Sequence, residues 1–193
     1  LRLGEVVGLR WCDIDFYTNM LHVNQTLNRL QRYDDDEADS KTEIVTQTPK
    51  SQNSIRSIPM LPDLVMDLQN WRTVQMQDAA AMGTSYFDSG LIATQENGLY
   101  VEPRLMREYY QKMLAAANLP NYNFHALRHT FATRAMEQGM DAKTLSILLG
   151  HYSVGFTLDT YAHVLTDQKW TAMQTMANMY NMEPPLRQPI QFF

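Results

Sequence analysis

Residues 125–129 read HALRH, two imidazoles and a guanidinium within five positions. Nitrogen this concentrated suits either a divalent metal or the oxygens of a phosphate. His125 and His129 stand i, i+4, the spacing of zinc-binding helices, but the glutamate that such a motif uses as a base is missing. Arg128 shares the face with His125 and would repel a metal, and no cysteine or carboxylate cluster supplies a third ligand. The phosphate alternative fits better. His125 and Arg128, spaced i, i+3, project together from the first turn of a helix, where free backbone N–H groups and the helix dipole also favour an anion. The planar fork of an arginine can donate two parallel bonds to phosphate oxygens. His129 is then expected to point elsewhere, into a buried structural position. By itself an HxxR pair is weak evidence, since a surface ion pair looks the same.

The elements that must position these groups follow from patterning. The start, LRLGEVVGLR, reads as a helix over residues 1–10. DIDF, MLHVNQTLNRL, TEIVTQTP and SIRSIPM read as strands rich in β-branched residues, with KSQN as a turn. The acidic run Asp34, Asp35, Asp36, Glu37 and Asp39 falls between two of these strands and reads as a solvated hairpin connection. Pro62 and Asp63 open a long helix that Gly83 closes, and Asn97-Gly98 marks a small hairpin. From Pro103 onward the chain reads as helical: PRLMREYYQKMLAAA, HALRHTFATRAMEQ before Gly139, AKTLSILL between Asp141 and Gly150, SVGFTLDTYAHV, and TDQKWTAMQTMANMY. The expected fold is α+β, mainly helical, with a small antiparallel sheet on the N-terminal side.

Composition narrows the class. An apolar fraction of 45% and a charged fraction of 19% over 193 residues are those of a globular domain with a sizeable core. No apolar run reaches the roughly 18–20 residues of a membrane span, and no signal-peptide pattern opens the chain. A single cysteine, Cys12, leaves no internal disulfide and fits a reducing, cytoplasmic setting. The net charge of −5 argues against a uniformly basic nucleic-acid binder, yet the acidic run alone accounts for it, which leaves room for a local basic face. The chain begins at Leu1 with a helix already under way, as an N-terminally truncated piece would.

The HxxR pair has company. LRLGEVVGLRW and TPKSQNSIRSIPM precede it; LLGHYS and LDTYAHV follow. Together these segments resemble the catalytic domain of the tyrosine recombinase (phage integrase) family, most closely its conjugative-transposon and phage members. The family pattern is an arginine followed by a Glu-bearing helix, a lysine in a β-turn, HxxR, GH and a tyrosine. It falls here on Arg2 (with Glu5), Lys50, His125 and Arg128, His151, and Tyr161. Singly, each has a bland alternative: Arg2 and Lys50 as solvated surface cations, His151 as a helix cap, Tyr161 as core. Their joint order decides against those alternatives.

The resemblance implies strand cleavage and rejoining of double-stranded DNA at a core site, by a catalytic domain over residues 1–182 followed by a tail, 183–193. Tyr161 would be the nucleophile, forming a 3′-phosphotyrosine. Arg2 and Arg128 would clamp the non-bridging oxygens, Lys50 would protonate the leaving 5′ oxygen, His125 would be the acid–base partner of Tyr161, and His151 would donate to the phosphate. No cofactor and no metal is implied. Arg29, Arg32, Arg56, Arg134 and Lys143 are expected to touch the DNA backbone. The resemblance further implies N-terminal DNA-binding domains, and a homo-oligomer assembled on DNA through the C-terminal segment, where Trp170, Met173, Met176 or Ala177, and Tyr180 form an apolar stripe. Three alternatives stay open: a resolvase- or topoisomerase-like activity on the same residues, a catalytically silent DNA-binding module, and a helical interaction protein that ignores DNA.

Overall fold

The computed structural model describes residues 1–31, 42–48, 52–161, 173–176 and 179. Lys50, Arg32, the acidic run, Trp170, Ala177, Tyr180 and the 183–193 tail lie outside them. The first helix, α1 (Leu3–Val7), is shorter than the sequence suggests because Gly8 ends it. Its glycines let it lie against strand β3 (Thr26–Gln31): a Cβ at Gly8 would come within 2.9 Å of the Leu27 nitrogen.

The segment MLHVNQTLNRL is not one strand but two. β2 (Met20–Val23) joins β1 (Ile14–Asp15) and β5 (Arg56–Pro59) in an antiparallel sheet of order β1-β2-β5. β3 pairs instead with β4 (Thr42–Gln47) in a separate two-stranded sheet. The break falls at Asn24 and Gln25, whose amides find partners outside either ladder: Asn24 Nδ2 donates to Asp13 Oδ1 (3.1 Å) and Gln25 Nε2 to the Gly8 carbonyl (2.6 Å). These bonds steer the chain from one sheet to the other. The Asn97-Gly98 turn forms, with Gly98 at φ +80°, but is tied by the single bridge Thr94–Tyr100 rather than by a full hairpin.

The remaining helices are α2 (Pro62–Met82), α3 (Pro103–Ala116), α4 (His125–Glu137), α5 (Ala142–Leu149) and α6 (Val154–Thr160). Three apolar clusters hold the fold. One lies under the three-stranded sheet (Leu9, Ile14, Leu21, Val23, Met60, Ile92), with Val65 and Leu68 of α2 packed on it. A second joins α1, β3 and the loop before α3 through Val7, Leu27 and Leu91. The third joins α4 to α5 through Ala132, Met136, Leu145 and Leu149, and takes in Tyr161. Among the described residues, no helix is long and apolar enough to cross a membrane.

Candidate active site

The site is built around the end of α5. Asp141 caps its start, accepting from the Lys143 and Thr144 N–H groups at 3.0 and 2.9 Å. Gly150 ends it in the left-handed conformation (φ +67°, ψ 46°). Glycine is required twice over here, by the positive φ and because a Cβ would meet Arg56 Nη1 at 2.9 Å. A helix end leaves carbonyls without intrahelical partners and carries the negative pole of the dipole. Three guanidinium groups meet that need. Arg56 Nε donates to the Leu148 carbonyl (2.7 Å), Arg128 Nη2 to Leu149 (2.5 Å) and Arg2 Nη2 to Gly150 (2.8 Å). The residue that precedes α1 and residues of β5 and α4 are thereby fixed to one turn of backbone.

Three cations this close require a counter-charge, and Glu5 provides one. Its carboxylate accepts from Arg56 Nη1 and Nη2 (3.1 and 2.9 Å), from Arg2 Nη1 (3.0 Å) and from the Arg2 backbone N–H (2.7 Å). Burial pushes the Glu5 carboxyl up, but the Arg56 and Arg2 hydrogen bonds outweigh it and hold it at about 2. Arg56, expected among the cations that touch the DNA backbone, is not a free surface cation in the structure. It is buried, 8% exposed, with its nitrogens committed to Glu5, Leu148 and Ser54.

Arg128 differs from Arg56 in one respect. It is 5% exposed, and its Nη1 has no hydrogen-bond partner among the described residues. An unpartnered buried donor costs free energy, on the order of 1–3 kcal/mol. Burial, and then the charge of Arg2, lower the Arg128 pKa to about 10, which still leaves it charged at neutral pH.

His151 follows the Gly150 turn and is buried. Its Nδ1 lies 2.7 Å from the Thr157 hydroxyl, and Phe156 packs against its ring at 4.8 Å between centroids. Burial first, then the Arg128 charge, lower its pKa to about 4, so the ring is neutral at pH 7. A Thr157 hydroxyl that donates to Nδ1 leaves the proton on Nε2, the nitrogen then able to donate to a phosphate.

Tyr161, at the end of α6, is 2% exposed, its ring among Ala132, Met136, Leu145 and Leu149. Burial raises its pKa and the Arg128 charge opposes that rise. The ring that reaches its hydroxyl is that of His129, with Nδ1 at 3.1 Å. Helical spacing predicts a buried structural position for His129, and the family resemblance implies His125 as the partner of the tyrosine. In the structure His129 is exposed, and His125 stacks edge-on against it (centroids 4.7 Å, 85°). Helical spacing held the signal: i+3 and i+4 flank the same face, so Arg128 and His129 both lie on the side of His125.

The structure thus gathers Arg2, His125, Arg128, His151 and Tyr161 around the end of α5 and the first turns of α4. The expected DNA-contacting residues are scattered. Arg29 is paired with Glu102 and donates to Thr42 Oγ1 (2.7 Å); Arg134 is paired with Glu137 (2.8 Å). Lys143 is exposed and borders a groove with Asn53, Ser146, His151 and Ser153.

Comparison with known proteins places the chain as a whole. The model of the phage integrase family matches residues 1–168. The chain is 34% identical over 183 residues to a tyrosine recombinase XerC-like protein of Caldanaerobacter subterraneus subsp. tengcongensis, covering 93% of this chain and 46% of the relative. It is 25% identical over 185 residues to the transposase from transposon Tn916 of Enterococcus faecalis, covering 91% and 42%. Among solved structures it resembles the Tn1549 transposon integrase in complex with transposon right end DNA, with a TM-score of 0.70 and 25% identity over 92% of this chain and 55% of that one. The chain spans about half the length of these relatives. With the family model covering most of its residues, the chain belongs to the phage integrase family.

Proposed function

We propose that this chain is the catalytic unit of a site-specific recombinase of a mobile element, cutting and rejoining double-stranded DNA through a phosphotyrosine at Tyr161. The observation that carries the reading is the Arg128 Nη1 donor, buried and without a partner among the described residues, in a cluster of three guanidiniums of which Glu5 pairs with two, Arg2 and Arg56. A phosphodiester gains negative charge as it becomes five-coordinate, and fixed donors stabilise that state most. Arg2 and Arg128 hold the two non-bridging oxygens, and neutral His151 donates a further hydrogen bond. Lys50 protonates the departing 5′ oxygen. Because the cations supply the charge stabilisation, the step is assigned no metal and no cofactor.

The catalytic unit spans residues 1–182 and the 183–193 segment is a tail. DNA is the partner, consistent with the DNA complex of the similar Tn1549 integrase. Arg29, Arg32, Arg134 and Lys143 serve the DNA backbone, the first and third by exchanging their exposed carboxylate partners for phosphates. A homo-oligomer assembles on DNA through the C-terminal segment, whose helical Met173 and Met176 are 66% and 46% exposed.

The test is a nicked suicide duplex bearing the core site, incubated in EDTA with the full-length protein. A denaturation-resistant protein–DNA adduct that vanishes in Tyr161→Phe is expected. Binding without an adduct would replace the enzyme with a silent DNA-binding module. Relaxation of supercoiled DNA without strand exchange would assign a topoisomerase-like outcome to the same residues.

A further inference from the structure

We infer that His129, rather than His125, takes the proton from Tyr161 as the phenol attacks DNA and returns it on rejoining. The inference rests on the reading of Tyr161 as the nucleophile. It starts from contact, because a general base must lie within hydrogen-bond reach of the proton it removes. His129 Nδ1 stands 3.1 Å from the Tyr161 hydroxyl. His125 forms no side-chain hydrogen bond among the described residues; its ring meets the ring of His129.

The surroundings of the tyrosine make a contacting base necessary. Its ring is sealed among Ala132, Met136, Leu145 and Leu149, and at 2% exposure the residue has almost no contact with water to receive the proton. Burial disfavours the phenolate, and Arg128 offsets this only in part. The base itself is placed to pass a proton on. His129 is exposed and borders an open groove with Asn123, Thr130, Thr133, Arg134 and Glu137. Among the described residues, the charged or titratable groups near it include His125, Arg128, Tyr161, His151, Arg134 and Glu137.

The step balances without an external reactant. With its own proton on Nε2, His129 accepts the phenol hydrogen at Nδ1. The Tyr161 O–H bond breaks, the Tyr161 Oη–phosphorus bond forms, and the bond from phosphorus to the 5′ oxygen breaks. The 5′ oxygen takes a proton from Lys50. In the reverse direction the 5′ hydroxyl attacks phosphorus and gives its proton back to Lys50. The imidazolium of His129 protonates the departing tyrosine oxygen.

The experiment uses the full-length protein and the nicked suicide duplex, with single-turnover adduct formation as the readout. His129→Asn keeps a hydrogen-bonding atom near the Nδ1 position but cannot accept the proton. Adduct formation should fall by about 10²–10⁴-fold with DNA affinity unchanged. A fluorinated tyrosine at position 161, a more acidic phenol, should recover much of that loss while changing the unmutated protein little. A 5′-bridging phosphorothiolate, whose sulfur leaves without a proton, should rescue Lys50→Ala but not His129→Asn. If His129→Asn does not fold, His129→Gln carries the same comparisons. An unchanged rate in these variants overturns the assignment. A loss that the fluorinated tyrosine leaves untouched also overturns it, because the 3.1 Å bond then only positions the ring. No adduct from DNA-bound wild-type protein, or an undiminished adduct in Tyr161→Phe, sinks the phosphotyrosine reading and the inference with it.

Discussion

Arg56 and Arg29 are the same side chain in opposite surroundings. Arg56 sits 8% exposed on β5, its guanidinium shared between Glu5 and the end of α5. Arg29 lies on β3 with its side chain 42% exposed, paired to a Glu102 that is itself a third open to water. Taking a charge out of water costs several kcal/mol, repaid only by near-complete pairing. An exposed pair incurs little of that cost and gains little. The inner pair therefore behaves as a fixed part of the site, and the outer one as a contact that another anion can replace. Arg128 stands between the two, buried like Arg56 yet with one donor unsatisfied among the described residues. That intermediate state, rather than the number of arginines, is what the proposed function rests on.

The contrast breaks most sharply at the inner pair. Glu5→Ala leaves Arg56 buried without its counter-charge and should cost about 3–5 kcal/mol of stability in denaturant unfolding. The double variant Glu5→Ala with Arg56→Met should lose less than the two single losses added together; simple additivity would show that the pair is not coupled. Next comes Arg128→Lys, which keeps the charge but not the fork. Adduct formation should fall by about 10²–10³-fold, with smaller changes in stability and DNA binding.

Acid should dissect the site in two stages. The folded-state pKa of His151 lies below the usual histidine value, at about 4, so its contribution is fully present above about pH 6.5 and is lost as pH falls through about 4. Glu5 is likewise depressed, to about 2, and its contribution is present above about pH 4.5 and lost as pH falls through about 2. Stability measured against pH should decline in those two windows, and His151→Asn should shrink the upper one, which His125, also depressed by burial, shares, while leaving the lower one in place. The smallest effect belongs to the surface. Arg29→Ala should change stability by less than about 1 kcal/mol, while lowering the salt dependence of DNA binding by about one phosphate contact. A loss of several kcal/mol there would erase the distinction between the two regions.

Much of the scaffold was legible because it is local. Asp141 and Gly150 bound α5 where capping rules put them, and Pro62 and Gly83 bound α2. The strand break at Asn24 and Gln25 was hidden, since it depends on Asp13 and Gly8, partners the chain supplies from another part of the fold. His129 was misread for a related reason. Its spacing shows that it shares a face with His125, but its hydrogen bond needs Tyr161, a residue 32 positions away.

The sequence alone therefore determined which chemistry was at stake. The order of Arg2, Lys50, HxxR, His151 and Tyr161 and the helix boundaries around them depend on residue type and on neighbours a few positions apart. Only the tertiary structure decided which cation serves which purpose. Burial arises where α1, β5, α4 and the end of α5 converge, and the cost of a charge depends on what surrounds it in space. That convergence makes Arg56 a partner of Glu5, leaves Arg128 one donor short among the described residues, and puts His129 against the hydroxyl of Tyr161.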